Sequence, residues 1–442
     1  MFGVTTPIPA KPGTMTTIDD PRRFLTDLFN AAIETADPSH CLPQFLPKPP
    51  RGRTIVIGAG KAGGAMAKAV EENYDGAIEG LVVTRYGHGT ECRKIEIVEA
   101  AHPVPDARGL EAARRIRAMV DGLSEDDLVL CLISGGGSAL LTMPGEGRGP
   151  DGKIVLTLDD KQAINKELLW CGAPIDEMNT VRKHLSAIKG GRLAVAAYPA
   201  QVVTLAISDV PGDDPAVIAS GPTVADSSTV EDARAVLAKY DIAVPAHINA
   251  FLDLPEADTA KAGDPRLARS SFELIARPQA SLEAAAEICN RAGIRPIILG
   301  DAIEGEARDV AREQTALARS HLEQGDAVAL ISGGETTVTV TGNGRGGRNA
   351  EFLLAFAIAT DGAAGIHALA GDTDGIDGSE DNAGAYTGPN SLSLAREKGL
   401  DPQALLENND GYGFFDAIDG LIKTGPTLTN VNDFRAVLVL PE

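Results

Sequence analysis

Cations set in glycine loops, and aspartates at alternating spacing, are the residue types that handle anions and phosphoryl groups. Lys61 lies in the stretch 54–70, TIVIGAGKAGGAMAKAV. Arg345 and Arg348 lie in GNGRGGRN over 342–349, just before a helical pattern. Asp209 and Asp214 belong to SDVPGDD over 208–214, and Asp372 and Asp374 to GDTDGID over 371–377. Ser134-Gly135-Gly136-Gly137-Ser138 follows the apolar run 128–133, and Ser332-Gly333-Gly334-Glu335 follows the apolar run 327–331.

Each pattern suggests a chemistry. In 54–70, a β-branched strand, a glycine turn with Gly58, Gly60, Gly63 and Gly64, and a helix start occur in succession. Free N–H groups and the positive end of a helix dipole make such a turn an anion site, and Lys61 adds a mobile charge. Gly58-x-Gly60-x-x-Gly63 also matches the dinucleotide fingerprint, which wants an acidic residue about 20 positions on. Arg85 stands after the next strand, which disfavours NAD and leaves NADP open. A Walker A loop fails because Ala62, not Ser or Thr, follows Lys61. A purely structural strand–helix turn with a solvated lysine is the remaining reading.

The 134–138 run suits a phosphate cradle built from backbone N–H groups. Arg182, Lys183, His184, Lys189 and Arg192 form a basic cluster, read as an anion-binding face or as a solvated helix face. The two acidic loops suit Mg²⁺, held through one or two carboxylates plus substrate phosphates, or serve as Asx turns. Arg345 and Arg348 at a helix start would make a second anion site. The histidines do not converge, and no GxSxG elbow supports Ser-His-Asp hydrolysis.

Positioning these loops requires a particular architecture. Strand patterns at 55–57, 81–84, 95–99, 128–133 and 202–207 alternate with helical patterns at 107–119, 159–171 and 175–185. This predicts a doubly wound parallel α/β sheet with ligands at the carboxyl ends of its strands. A charged stretch over 255–270 reads as a linker. The second half resumes with helices at 281–292, 307–324 and 351–359, and strands at 296–299, 327–331 and 366–370. The expected division is a disordered leader over 1–19, a first domain over 20–254, the linker, and a smaller α/β domain over 271–442. The stretch 145–153 reads as a glycine-rich loop.

Composition sets limits. The chain has 442 residues, enough for two or three domains, and 43% hydrophobic residues, enough for sizeable cores. Its net charge of −22 argues against nucleic acid and anionic membranes as partners. Five scattered cysteines without CxxC or metal spacing read as reduced thiols in a cytoplasmic protein. No apolar run is long enough for a transmembrane helix, and the threonine- and proline-rich start lacks a secretory h-region.

Taken together, VIGAGKAGGAMAKA, AAHPVPD, LISGGGSALL, NTVRKHLSAIKGGRLA, SDVPGDDPAVIASGPT, ISGGETTVTVTGNGRGGRNAEF, AGDTDGIDG and TNVNDF resemble the class II glycerate kinase family. These are glycerate 2-kinases whose C-terminal half is the MOFRL domain, with some relatives labelled hydroxypyruvate reductase. The resemblance covers nearly the whole chain after about position 20. It implies a Rossmann-like first domain, a MOFRL-containing second domain, and a site between them. It also implies ATP-dependent phosphorylation of D-glycerate to 2-phosphoglycerate with a divalent metal. The family's glycine-loop lysine falls on Lys61 and its GGRN arginine on Arg348.

Phosphoryl transfer needs positioning and charge stabilisation above all. Lys61 is expected at the substrate carboxylate or the transferring group, Arg348 as a clamp on transition-state charge, and Asp209 as a candidate proton acceptor. Asp214, Asp372 and Asp374 are candidate Mg²⁺ ligands. Gly60, the 134–138 loop, Arg182, Lys189, Gly333, Gly334, Glu335, Arg345 and Asn349 are expected around the small-molecule substrates. The expected assembly is a monomer or homodimer. An NADP-linked hydroxypyruvate reductase and a non-catalytic nucleotide sensor are the alternatives. The sensor reading is disfavoured because sensing needs no proton acceptor.

Overall fold

The computed structural model describes residues 18–150 and 152–441. All but Ile18 and Asp19 of the expected leader therefore lies outside the described residues, and Ile18 already packs on an apolar core.

Six strands build the first sheet: β1 (Thr54–Ala59), β2 (Ile78–Arg85), β3 (Ile95–Ala100), β4 (Leu128–Ile133), β5 (Gln201–Ile207) and β6 (Ser270–Ala276). Their order is β3-β2-β1-β4-β5-β6, and every neighbouring pair is parallel. β1 and β4 are buried along their whole length, which explains why they read as continuous apolar runs rather than alternating ones. The strand order reverses between β1 and β4, so a crevice opens at their carboxyl ends. The loops carrying Lys61 and Ser134 both emerge there.

Helices cover both faces of this sheet. α2 (Gly63–Asn73) places Met66, Ala67 and Val70 on one side with Val56 and Val82. α3 (Ala107–Met119) places Ala112, Ala113 and Ile116 on the other with Ile55 and Ile57. The larger of these side chains, Met66, Val70 and Ile116, are worth about 1.5–3 kcal/mol each when buried. α4 (Leu158–Trp170) begins with a Thr157/Asp160 capping box. It packs beside α5 (Ile175–His184) in a satellite core.

The second sheet holds β7 (Arg295–Gly300), β8 (Val328–Gly334), β9 (Ile366–Asp372), β10 (Gly384–Thr387), β11 (Leu421–Ile422) and β12 (Asp433–Val439) in the order β11-β10-β9-β12-β8-β7. It is mixed: β7 and β8 are parallel, whereas β12 runs antiparallel between β8 and β9. The start of β12 therefore lies beside the ends of β8 and β9, which brings three loops to one edge. α7 (Ala307–Glu323) and α8 (Arg348–Thr360) cover one face. α1 (Pro21–Thr35) and α6 (Pro278–Arg291) cover the other.

The structure redraws the expected domain limits. α1 starts at Pro21 behind an Asp20 cap and buries Leu25, Leu28, Phe29 and Ala32, one helical face, on the second sheet. Phe29 lies 5.9 Å from Phe434 of β12. The first described residues thus pack in the C-terminal domain before the chain crosses to the other. The expected linker is wrapped onto the first domain. Arg192 donates to the carbonyls of Glu256, Ala257 and Asp258 at 3.1, 2.8 and 2.9 Å. Its charged composition reads as linker because the attachment is made by backbone carbonyls, which sequence does not display. β6, expected in the second domain, is the edge strand of the first sheet. The expected glycine loop over 145–153 is an antiparallel hairpin of Glu146–Gly149 with Gly152–Val155.

Candidate active site

The β1 loop is closed by its neighbours. Gly60 N–H donates to Val83 O at 3.1 Å, Lys61 N–H to Gly135 O at 2.8 Å, and Gly63 N–H to Gly60 O at 2.9 Å. Ala62 N–H donates to Ser134 Oγ at 3.0 Å. These are the amides that a dinucleotide pyrophosphate or a bare phosphate would need. The loop is a rigid mount for Lys61 rather than an open anion cradle. Gly60 is required there: its φ is +147°, and a Cβ would stand 2.0 Å from Ser134 Oγ.

The 134–138 loop divides its work. Ser134 Oγ is spent on Ala62, and Ser138 Oγ pairs with Ser220 Oγ at 2.8 Å and accepts from Lys189 Nζ at 2.9 Å. Among the described residues no acceptor meets the N–H groups of Gly135 and Gly136. A Cβ on Gly135 would stand 2.1 Å from Asp209 Oδ2, so glycine lets the loop pass beside that carboxylate.

Lys61 reaches across the crevice. Its Nζ donates to Asp374 Oδ2 of the second domain at 2.6 Å. Asp372, Asp374 and Asp209 together hold the ammonium above its ordinary pKa, against the pull of burial. Asp209 is tied from the other side: Asn430 Nδ2 donates to its Oδ2 at 2.8 Å and Asn432 Nδ2 to its backbone oxygen at 2.6 Å. Burial pushes the Asp209 carboxyl up to about 6, with Lys61 opposing. Asp374 stays low beside Lys61, whereas burial and the Asp374 charge hold Asp372 well above the usual carboxylate range.

Arg348, the first residue of α8, forks into three carboxylates of its own domain. Its Nε meets Asp433 Oδ2 at 2.8 Å, Nη2 meets Asp372 Oδ2 at 2.9 Å, and Nη1 meets Glu335 Oε1 at 2.5 Å. Asp374 N–H donates to Asp372 Oδ1 at 2.9 Å. A continuous chain therefore runs from Arg348 through Asp372 and Asp374 to Lys61. Asn349 Nδ2 donates to Asp433 Oδ1 at 2.9 Å and fixes that carboxylate.

Several expected residues stand elsewhere. The second anion site at the α8 start is filled by Asp377, whose carboxylate accepts from the N–H groups of Asn349 and Ala350 at 3.0 and 2.9 Å. Arg345 is exposed; it pairs with Glu380 and lies over the Tyr412 ring at 4.2 Å. Asp214 is exposed and closes its own Asx turn by accepting from Ala216 N–H at 2.8 Å. The Gly333 carbonyl accepts from the buried Arg435 at 3.1 Å, and a Cβ on Gly334 would stand 2.2 Å from Ile303 N, so both glycines serve the sheet edge. Lys183 is spent on Asp226 at 2.9 Å, while Arg182 and Lys189 face a cavity of the first domain.

Sequence reasoning missed Asn430, Asn432, Asp433, Arg435 and Asp377. The signal for the two asparagines was present in TNVNDF, where polar residues at 430 and 432 share a face ahead of a buried strand. It also scattered the histidines, whereas the structure places His88 and His102 within the field of Lys61 and Arg85. Burial and those cations push His102 down to about 4, so it is neutral.

Two family models match the chain: "Domain of unknown function (DUF4147)" over residues 24–253 and "MOFRL family" over 328–433. A D-glycerate 2-kinase of Thermotoga maritima is 39% identical, the match covering 95% of this chain and 98% of that protein. A crystal structure of glycerate kinase from Thermotoga maritima superposes with a TM-score of 0.84 at 38% identity, covering 95% of this chain and 99% of that one. The chain belongs to the class II glycerate kinase family. A protein of Agrobacterium vitis named putative hydroxypyruvate reductase is 53% identical over 95% of this chain and 94% of its own length.

For a member of the glycerate kinase family, the closed β1 loop is informative. The oxidoreductase reading needs that loop for its cofactor and Arg85 for a 2′-phosphate. The loop's amides are used internally, and Arg85 Nη1 lies 3.9 Å from Asp374 Oδ2, within the charged network. The α/β architecture expected from the resemblance, with a MOFRL segment in the second domain, is the one observed. Among the described residues, no three His, Cys, Asp or Glu side chains come together as a metal-ligand group, and no helix is long and apolar enough to cross a membrane.

Proposed function

We propose that this protein transfers the terminal phosphoryl group of ATP to the 2-hydroxyl of D-glycerate, in the crevice between its two domains. The observation that carries the proposal is the connected set Lys61–Asp374–Asp372–Arg348, which joins the two domains at the carboxyl ends of β1 and β9. The names of the relatives support the substrate. The proposed setting is cytoplasmic and free of nucleic-acid or membrane partners, in keeping with the charge of −22.

The residues divide the work as follows. Asp209, raised to about 6, is ionised at neutral pH yet basic enough to take a proton from the 2-hydroxyl. A new bond then forms from that oxygen to the terminal phosphorus, the bond to the bridging oxygen breaks, and ADP departs. Lys61 moves from Asp374 to the charge on the transferring group, and Arg348 turns Nη1 from the half-exposed Glu335 toward the same oxygens. Asp372 and Asp374 are carboxylate oxygen donors that would suit Mg²⁺ once phosphate oxygens complete its shell. Mg²⁺ would supply charge neutralisation between phosphates. Asp214 has no part in this set.

The test uses purified protein with ATP, Mg²⁺ and D-glycerate, the product being resolved by phosphorus NMR. 2-Phosphoglycerate and ADP in equal amounts are expected, and activity should vanish on exhaustive chelation and return with Mg²⁺. Formation of 3-phosphoglycerate, or full turnover without any divalent cation, would refute the corresponding part. NADPH oxidation by hydroxypyruvate would favour the reductase instead.

The pH profile follows from Asp209. It accepts a proton only when ionised, so kcat/KM should be flat above about pH 6 and fall about tenfold per unit below it. Asp209→Asn should leave a residual rate of about 1% or less, without that acidic limb. An unchanged limb in the variant would assign the titration to another group.

A further inference from the structure

Beside the charged crevice, the first domain contains a cavity of about 460 Å³. Lys161, Lys166, Arg182 and Lys189 line it, and among the described residues no Asp or Glu does. In a chain of net charge −22 this is a local excess of positive charge. Lys161, in the first turns of α4, has a buried Nζ with no hydrogen-bond partner. Leaving an ammonium buried and unpaired is costly, and such a group calls for a partner, which an anionic ligand would supply. Burial, with Arg192 and Arg182 nearby, pushes it down to about 7. Lys189 Nζ is held by Ser138 O and Oγ at 2.6 and 2.9 Å beside the glycine loop, and burial, with Lys161, Arg182 and Lys183 nearby, pushes it well below its ordinary range.

The cavity is polarised. Its other wall is apolar, formed by Pro103, Val104 and Leu169, with Val104 62% and Leu169 60% exposed. Its inner end meets Gly136, whose N–H is among the unpartnered amides, and His102. Gly136 directly follows the residue whose carbonyl accepts from Lys61 N–H. A ligand with a flat apolar end and a polyanionic tail would span from the rim to Lys61. Four lining basic side chains are more than the single charge of glycerate calls for and suit the several charges of a nucleoside triphosphate, whose approach favours their protonated forms. A volume of about 460 Å³ likewise exceeds a three-carbon acid and lies in the range of nucleotide-sized pockets.

We infer that this cavity, with Lys161 as its buried anchor, is the nucleoside triphosphate site, the purine resting on Pro103, Val104 and Leu169 and the phosphates running past Lys161 and Lys189 toward Lys61. The inference rests on the phosphotransfer reading above and names where its donor substrate sits. It leaves the acceptor to the crevice beside Asp209.

Calorimetry with the non-hydrolysable analogue AMP-PNP and with inorganic tripolyphosphate tests it. Lys161→Met should weaken both at least about tenfold, as expected for a lost charge-assisted hydrogen bond, while the KM for D-glycerate stays within about twofold. Leu169→Ala, at an exposed position that cannot unfold the core, should weaken AMP-PNP several-fold and leave tripolyphosphate unchanged. Unaltered AMP-PNP affinity in Lys161→Met overturns the assignment. So does a raised KM for D-glycerate with normal AMP-PNP binding, which would make the cavity the acceptor's. If Leu169→Ala leaves AMP-PNP affinity unchanged, the placement of the purine is wrong. Failure of the kinase reading is separate: wild-type protein would then bind AMP-PNP yet form no phosphoglycerate.

Discussion

Lys61→Ala is expected to lower kcat/KM at least about 100-fold per folded molecule, the scale of losing one preorganised charge-stabilising donor. The sequence alone suggests that the fold would be untouched, because a lysine in a glycine loop reads as exposed. The structure changes that expectation. Lys61 is the partner of Asp374 at 2.6 Å, and Asp372 and Asp209 also face it. Removing it leaves buried carboxylates uncompensated, a loss of about 3 kcal/mol when one member of such a pair is deleted. The variant should therefore also melt lower, and by an amount that depends on pH. Without the ammonium, Asp374 loses what holds it low, and Asp209 and Asp372 rise further above their unfolded values near 4. The folded state then binds more protons than the unfolded one, so stability is retained at low pH and lost as pH rises through the raised values. The gap in Tm between wild type and variant should be wider at pH 8 than at pH 5. A folded Lys61→Ala protein with near-normal turnover would remove Lys61 from the chemistry. A pH-independent gap would show that the pairing with the carboxylates is not what Lys61 contributes to stability.

How much of this was legible in the chain follows from what each signal measures. Periodicity reports burial, so fully buried strands such as Leu128–Ile133 and amphipathic helices such as Ala107–Met119 were readable to the residue. It does not report which sheet a buried face meets. Hence α1, within the stretch expected in the first domain, packs on the second sheet, and β6, only partly buried along its length, does not read as a strand. Glycine loops report tight turns, and those at Lys61 and Ser134 do stand at the carboxyl ends of neighbouring strands of the first sheet. Whether a loop's amides are free depends on the neighbouring loop, so the closed turn at Lys61 and the open one at Gly135 and Gly136 look alike in sequence. Aspartates show the same limit. Asp214 and Asp372 have similar glycine-rich surroundings, yet one caps its own turn and the other bridges Arg348 to the Asp374 loop. The mixed second sheet hid Asp433 most completely. Only the antiparallel insertion of β12 between β8 and β9 brings a residue near the C-terminus against the start of α8.

Arg348→Lys is expected to lower kcat about 100-fold although the formal charge is kept. The guanidinium meets Asp433, Asp372 and Glu335 with three different nitrogens, a fork that a single ammonium cannot reproduce. The sequence places Arg348 in the second domain and suggests that it acts across the crevice. Among the described residues its side chain pairs only with carboxylates of that domain, and the crevice is crossed by Lys61 to Asp374, with Arg85 3.9 Å from the same carboxylate, and by Asn430 and Asn432 to Asp209. Arg348 therefore reaches the other half through Asp372 and the Asp374 loop when no substrate is bound. In turnover, one arm must leave Glu335, the exposed and most easily replaced of its partners, while the two buried carboxylates keep the base of the fork in place. A lysine loses one of these functions whichever it keeps. Bound to Asp433, it cannot reach the phosphoryl group; turned to the phosphoryl group, it leaves Asp372 and Asp433 unpaired beside Asp374. The KM for D-glycerate should change less than kcat, because the lost interaction belongs to the transition state. If Arg348 serves only to hold its own domain together, Arg348→Lys will lower Tm and leave kcat per folded molecule unchanged. That result would reassign the chemistry to Lys61 and the aspartates alone.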